Sequence, residues 1–197
     1  AEGVAAAGAE GVAAEGAAEG AEQRLKEPEE MSAEERSAFA AKCKDVGNRG
    51  FRGGEWAYAM LAWEEGLRYL QYEPGADGAP DPAFDHGGAA LVERDTQLAA
   101  ALCCNMAAAL LKTGEDRKAA DFCCQALTFD PGNFKAIVRR AQALVNLGEY
   151  EVALQDVQRG LEIDPACKEA AALRRSIDAG VRRAQVRERE LFAKMMG

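Results

Sequence analysis

The chain has 197 residues, with 33 acidic against 24 basic side chains and a formal net charge of −9. That length suits one small domain plus a tail, and the scarcity of basic clusters argues against nucleic acid as a partner. Ala, Leu, Glu and Arg are abundant and β-branched runs are few, so an all-α fold is expected.

Residues 1–30 open with AEGVAAAGAEGVAAEGAAEGAEQ, an Ala/Gly/Glu sequence with no aromatic residue. Such a segment buries too little apolar area to offset its chain entropy and reads as a disordered tail or linker. It holds eight acids and two bases, a net of −6 out of the total of −9, so the acidity belongs mostly to the tail. The ordered region is expected to begin near Met31. Ser32 and Glu35 have the spacing of a capping box, with Met31 as its hydrophobic staple. No stretch is long or apolar enough for a membrane span. The acidic start argues against a transit peptide, and a compact apolar signal core is absent. The sequence does not begin with Met, which suggests a fragment of something longer.

The main organisation is a repeat. NMAAALLKTGEDRKAADFCCQALTFDP (105–131) and RRAQALVNLGEYEVALQDVQRGLEIDP (139–165) align 34 residues apart, the tetratricopeptide period. Small residues recur where helices must approach closely: Ala107 and Ala141, Ala119 and Ala153, Ala126 and Gly160. Gly114 and Gly148 should form left-handed C-caps. Asp-Pro at 130–131 and 164–165 should close each unit and start the next helix. A third copy lies upstream, with Gly47, Ala59, Trp63 and Gly66 in the same slots and Gly53-Gly54 as the turn. Ala59 precedes Ala119 by 60 residues, so 26 residues are inserted between the first two repeats.

Three repeats are expected at about 40–72, 100–133 and 134–167, inside a region spanning 31–165. The second helix of the first repeat runs on through 61–72. An exposed loop rich in Pro, Gly and Asp follows near 73–89. Residues 90–112 keep helical periodicity longer than one repeat helix requires, so the first helix of the second repeat is extended at its start. The segment 166–197 reads as one long helix. Leu173, Ile177 and Val181 form a stripe at four-residue spacing, suited to capping the open edge of a right-handed solenoid.

Candidate chemistry is sparse. Cys103-Cys104 and Cys123-Cys124 are adjacent pairs within helices, not Cys-x-x-Cys, so all six cysteines read as free thiols, mostly small core residues, without metal. Unpaired thiols suit a reducing, cytoplasmic compartment. His86 is the only histidine and falls in the Gly-rich loop, which leaves no catalytic triad and no enzymatic or cofactor assignment.

Lys44 and Asn48 (KDVGN, 44–48), Asn105, and Lys135 and Arg139 (KAIVR, 135–139) each fall in the first helix of a different repeat. Lys44 and Asn48 share a helical face, as do Lys135 and Arg139. Asn105 and Arg139 occupy the same slot 34 residues apart. Three cations and two amides on the inner-facing helices suit an anionic ligand with more than one carboxylate. Solvated helix charges are the plain alternative. A mid-helix Asn, with its modest propensity, argues for another role.

KxxxN, then N, then KxxxR resembles the carboxylate-clamp pattern of co-chaperone tetratricopeptide domains. These domains bind the C-terminal Glu-Glu-Val-Asp of heat-shock protein 90 and heat-shock protein 70. EEMSAEERSAFAAKCKDVGNRGF (29–51), the long insertion and RERELFAKMMG (187–197) are similar to the C-terminal region of large FK506-binding immunophilins. The resemblance implies that Lys44, Asn48 and Asn105 grip the terminal carboxylate and last aspartate of the peptide. It implies that Lys135 and Arg139 hold the backbone and an upstream acid. Phe51 is the nearest apolar candidate for contacting the valine, with a plain core residue as the alternative. An isomerase domain would belong to a longer parent protein, and its activity does not carry over to this chain. The basic end of the last helix, with Phe192, Met195 and Met196, also fits a calmodulin-type target. Asp178, Glu188 and Glu190 interrupt its basic face, however, and a capping helix accounts for the rest.

Overall fold

A computed structural model of the chain describes residues 26–70 and 89–196. The low-complexity residues 1–25, the loop near 73–88 and His86 lie outside the described residues. Among those described there is no strand. Seven α-helices follow a single 3-10 turn at Pro28–Glu30: α1 (Ala33–Gly53), α2 (Trp56–Leu70), α3 (Ala89–Thr113), α4 (Asp116–Phe129), α5 (Phe134–Leu147), α6 (Tyr150–Ile163) and α7 (Lys168–Met196). By internal packing the chain divides into two units, Ala1–Leu98 and Ala99–Gly197, with the boundary inside α3.

In the first unit the capping box forms as expected. The Ser32 hydroxyl accepts from Glu35 N at 3.2 Å, and the Glu35 carboxylate accepts from Ser32 N at 2.9 Å. That backbone bond, with Lys26 beside it, holds the Glu35 carboxyl below its ordinary range. The segment before the cap is tied down too, contrary to the expected irregular chain up to residue 30. Buried Arg36 donates to the Met31 carbonyl at 2.8 Å, and the Tyr69 hydroxyl donates to the Lys26 carbonyl at 2.8 Å. The one-turn helix at Pro28–Glu30 is thus flanked by carbonyls held from α1, at Met31, and from α2, at Lys26. The two helices pack closely where side chains are missing. A Cβ at Gly47 would overlap the indole ring of Trp63, and one at Gly50 would stand 2.8 Å from the Tyr58 ring.

In the second unit the repeat slots are the core. Ala107, Ala119, Ala126, Ala141 and Ala153 are fully buried. Gly114 and Gly148 both have φ of 80°, the left-handed turn that closes α3 and α5. The Asp-Pro pairs differ from expectation. Asp130 and Asp164 cap α4 and α6, but Pro131 and Pro165 lie in turns. The next helices start three residues later, at Phe134 and Lys168. For α5 the reason is Asn133, whose side chain takes the N-cap position and accepts from Ala136 N at 3.1 Å.

Helix α7 packs on α5 and α6 through Leu173 and Ile177, which join Val138, Ala141, Leu144, Ala153 and Val157 in one apolar cluster. The expected stripe stops there. Val181 is 37% exposed. The next packed position is Gly180, where the Tyr150 ring lies so close that a Cβ would clash. Beyond it every residue to Met196 is exposed.

Candidate functional site

The candidate residues fall into both units. In the first, Lys44 and Asn48 are one turn apart on α1 and half-buried. The backbone under them is fixed from α2, since Trp63 Nε1 donates to the Lys44 carbonyl at 3.3 Å. Phe51 is part of an aromatic group. Its ring centroid is 4.8 Å from that of Trp56 and 5.8 Å from that of Trp63. Half-buried Phe51 therefore has a packing role whatever else it touches.

In the second unit Arg139 is anchored on Cys104, the residue before Asn105. Arg139 Nη1 donates to the Cys104 carbonyl at 2.7 Å and lies 2.9 Å from its Sγ. Burial pushes the Cys104 thiol up, while the charges of Arg139 and Lys135 pull against that shift. Both cations therefore stand close to the residue that precedes Asn105. The guanidinium is held at one nitrogen and half-exposed, whereas Lys135 is exposed. A cation fixed in this way has little rotamer freedom left to lose on meeting an anion.

Arg139 also lines an open groove of about 380 Å³ between α3, α5 and α7, floored by Leu111, Val138 and Leu173 and edged by Gln142 and Glu169. Sequence reasoning missed this groove. Gln142 follows Arg139 by one turn and could have been read from periodicity. Glu169 could not, because its place depends on how α7 docks.

The cysteines divide. Cys43, Cys103, Cys104 and Cys123 are buried, Cys124 is exposed, Cys167 is half-exposed and precedes α7, and all six are free thiols. Under native conditions Ellman's reagent is expected to modify Cys124 and Cys167 within minutes and the other four only on unfolding. Six fast thiols in the folded protein would contradict this burial. Among the described residues no group of three or more His, Cys, Asp or Glu side chains could hold a metal, and no helix is long and apolar enough to cross a membrane.

With this geometry in place, comparisons with known proteins agree on the fold. Residues 134–167 match the model of the tetratricopeptide repeat. A curated human relative, peptidyl-prolyl cis-trans isomerase FKBP4, is 28% identical over 173 residues, which cover 88% of this chain and 35% of the relative. The chain thus spans about a third of the length of the curated relatives it matches. The C-terminal TPR-containing domain of a Plasmodium falciparum FK506-binding protein superposes with a TM-score of 0.67 at 20% identity, over 83% of this chain and 99% of that one. The first TPR of Spaghetti (RPAP3), solved bound to the HSP90 peptide SRMEEVD, gives 0.57 at 24% identity, over 74% and 94%. The fold is that of a tetratricopeptide-repeat domain, all-helical among the described residues, with a long C-terminal helix.

Proposed function

We propose that this chain is a protein-interaction adaptor of the co-chaperone kind. Its ligand is the acidic C-terminal Glu-Glu-Val-Asp tail of heat-shock protein 90 or heat-shock protein 70. The observation that carries this reading is Arg139, a half-exposed guanidinium fixed on the Cys104 carbonyl with Lys135 one turn before it. Lys44, Asn48 and Asn105 are the other residues assigned to the peptide, with Phe51 beside its valine. Charge-assisted bonds of this sort contribute about 1.5–3 kcal/mol each before losses, and peptide ordering offsets much of that. Micromolar affinity follows. The free thiols fit a cytoplasmic setting.

The test is calorimetric titration with free-acid and C-terminally amidated tail peptides. Lys135→Ala and Arg139→Ala should each weaken free-acid binding at least tenfold, about 1.4 kcal/mol. Amidation should cost as much again, and rising salt should weaken the complex. Lys135 is the cleaner site, since its exposed side chain supports no packing. Wild-type affinity in the double variant, with unchanged helicity, would remove the clamp assignment and leave the fold without a ligand.

A second reading is favoured by the names and lengths of the curated relatives: this chain is the repeat region of a longer peptidyl-prolyl isomerase. Sequencing the full transcript and assaying its product for proline isomerisation decides it. The exposed Phe192, Met195 and Met196 on the basic end of α7 also support the calmodulin-type reading. A calcium-dependent gel shift with this chain is its check.

A further inference from the structure

The groove lined by Arg139 also has a carboxylate of α7 in its wall. Its floor is apolar, with Val138 and Leu173 buried and Leu111 half-buried. Its cationic side is Arg139, and its anionic side is Glu169 in the first turn of α7. Among the described residues Glu169 makes no ion pair. The adjacent Gln142 is ordered by a relay: its Nε2 donates to Asn146 Oδ1 at 2.8 Å, and Asn146 Nδ2 donates to Asp116 Oδ1 at 2.7 Å.

If Arg139 holds an acidic side chain near the peptide's end, the residues just upstream of that acid enter this groove. The apolar floor and the Glu169 carboxylate both line it. We infer that Glu169 is a specificity-determining residue that selects tails with a basic side chain upstream of the acidic pair, with a large apolar residue between them. This inference rests on the adaptor reading given above. A tail with that chemistry is already known to fit the same fold, in the SRMEEVD peptide bound by the RPAP3 domain. An acidic residue at the same upstream position would face Glu169 across an open groove and be repelled.

Three free-acid peptides separate the possibilities: Ser-Arg-Met-Glu-Glu-Val-Asp, Ser-Glu-Met-Glu-Glu-Val-Asp and the short Met-Glu-Glu-Val-Asp. The wild-type chain should bind the arginine peptide about threefold more tightly than the glutamate one, the scale of an exposed ion pair. Glu169→Gln should flatten that preference and Glu169→Lys should invert it, and both should bind the short peptide as wild type does. The glutamine variant keeps size and shape, so it decides the matter if the lysine variant loses helicity. A wild-type preference persisting in both variants overturns the role of Glu169 and leaves the adaptor reading intact. Failure of all three peptides to bind the wild-type chain overturns the adaptor reading itself.

Discussion

Raising the pH from 8 to 11 is expected to unfold the protein, and its buried thiols are the reason. Burial pushes the Cys43 and Cys123 thiols up to about 12 and the Cys103 thiol up to about 11, from an ordinary value of 9.0. The Glu65 carboxylate adds to the shift at Cys43. Between pH 9 and 11 the unfolded chain releases these protons while the folded chain keeps them. Folded values that are raised mean stability fully present below pH 9 and lost as pH climbs through the folded range. Each thiol contributes a slope of about 1.4 kcal/mol per pH unit, so three together remove about 4 kcal/mol per unit. Over two units that is about 8 kcal/mol, comparable with the whole stability of a domain held by about 5–15 kcal/mol. Circular dichroism followed against pH should show a cooperative loss of helix near pH 10–11. A variant carrying Cys43→Ala, Cys103→Ala and Cys123→Ala should move that midpoint upward relative to its neutral-pH stability. Coincident midpoints would show that other groups govern alkaline unfolding.

Asp156→Ala is expected to cost about 3 kcal/mol of stability, within the range for removing one partner of a buried ion pair. Asp156 on α6 is 4% exposed and takes both arms of Arg140 on α5, at 2.7 Å to Nε and 2.6 Å to Nη2. The fork geometry satisfies both carboxylate oxygens, and the bond to Asp156 raises the already high Arg140 value further. Truncation leaves a guanidinium in a site where only 23% of its side chain reaches solvent. Urea titration should register the loss as a lower midpoint with an unchanged slope. Replacing both partners, Asp156→Leu with Arg140→Met, should recover most of it, because no charge is then stranded. A loss below about 1 kcal/mol for Asp156→Ala would place the pair among exposed bridges.

Much of this architecture could be read from the sequence because tight packing restricts residue type. Ala107 and Ala141 are alike because two helices touch there, and Gly114 and Gly148 because each needs a positive φ. What could not be read depends on contacts between distant positions. Asp156 looks like any helix-surface acid until α5 brings Arg140 opposite it. Val181 satisfies the four-residue stripe of α7, but the bend of packing around Tyr150 puts Gly180 at the contact instead. Asn133 pre-empted Pro131 as a helix starter because a side-chain acceptor at the cap outweighs a favourable φ two residues earlier. Of the candidate site, the residue types and their slots were legible. The anchoring of Arg139 on Cys104 and the groove lined by Glu169 were not, because both depend on side-chain reach between helices.

The seating of the Tyr150 ring at Gly180 divides α7 in time as well as in space. Amide hydrogens from Lys168 to Gly180 are shielded by a packed interface, so their exchange waits for the helix to lift from the cluster around Ile177. From Val181 to Met196 every residue of the helix is exposed among the described residues. Those turns are governed by nearest-neighbour propensity alone, and a segment of that length is marginal in water. It opens and recloses on the helix–coil timescale of about a microsecond. One helix thus holds a slow half and a fast half, and the fast half can change partner or conformation without disturbing the repeats.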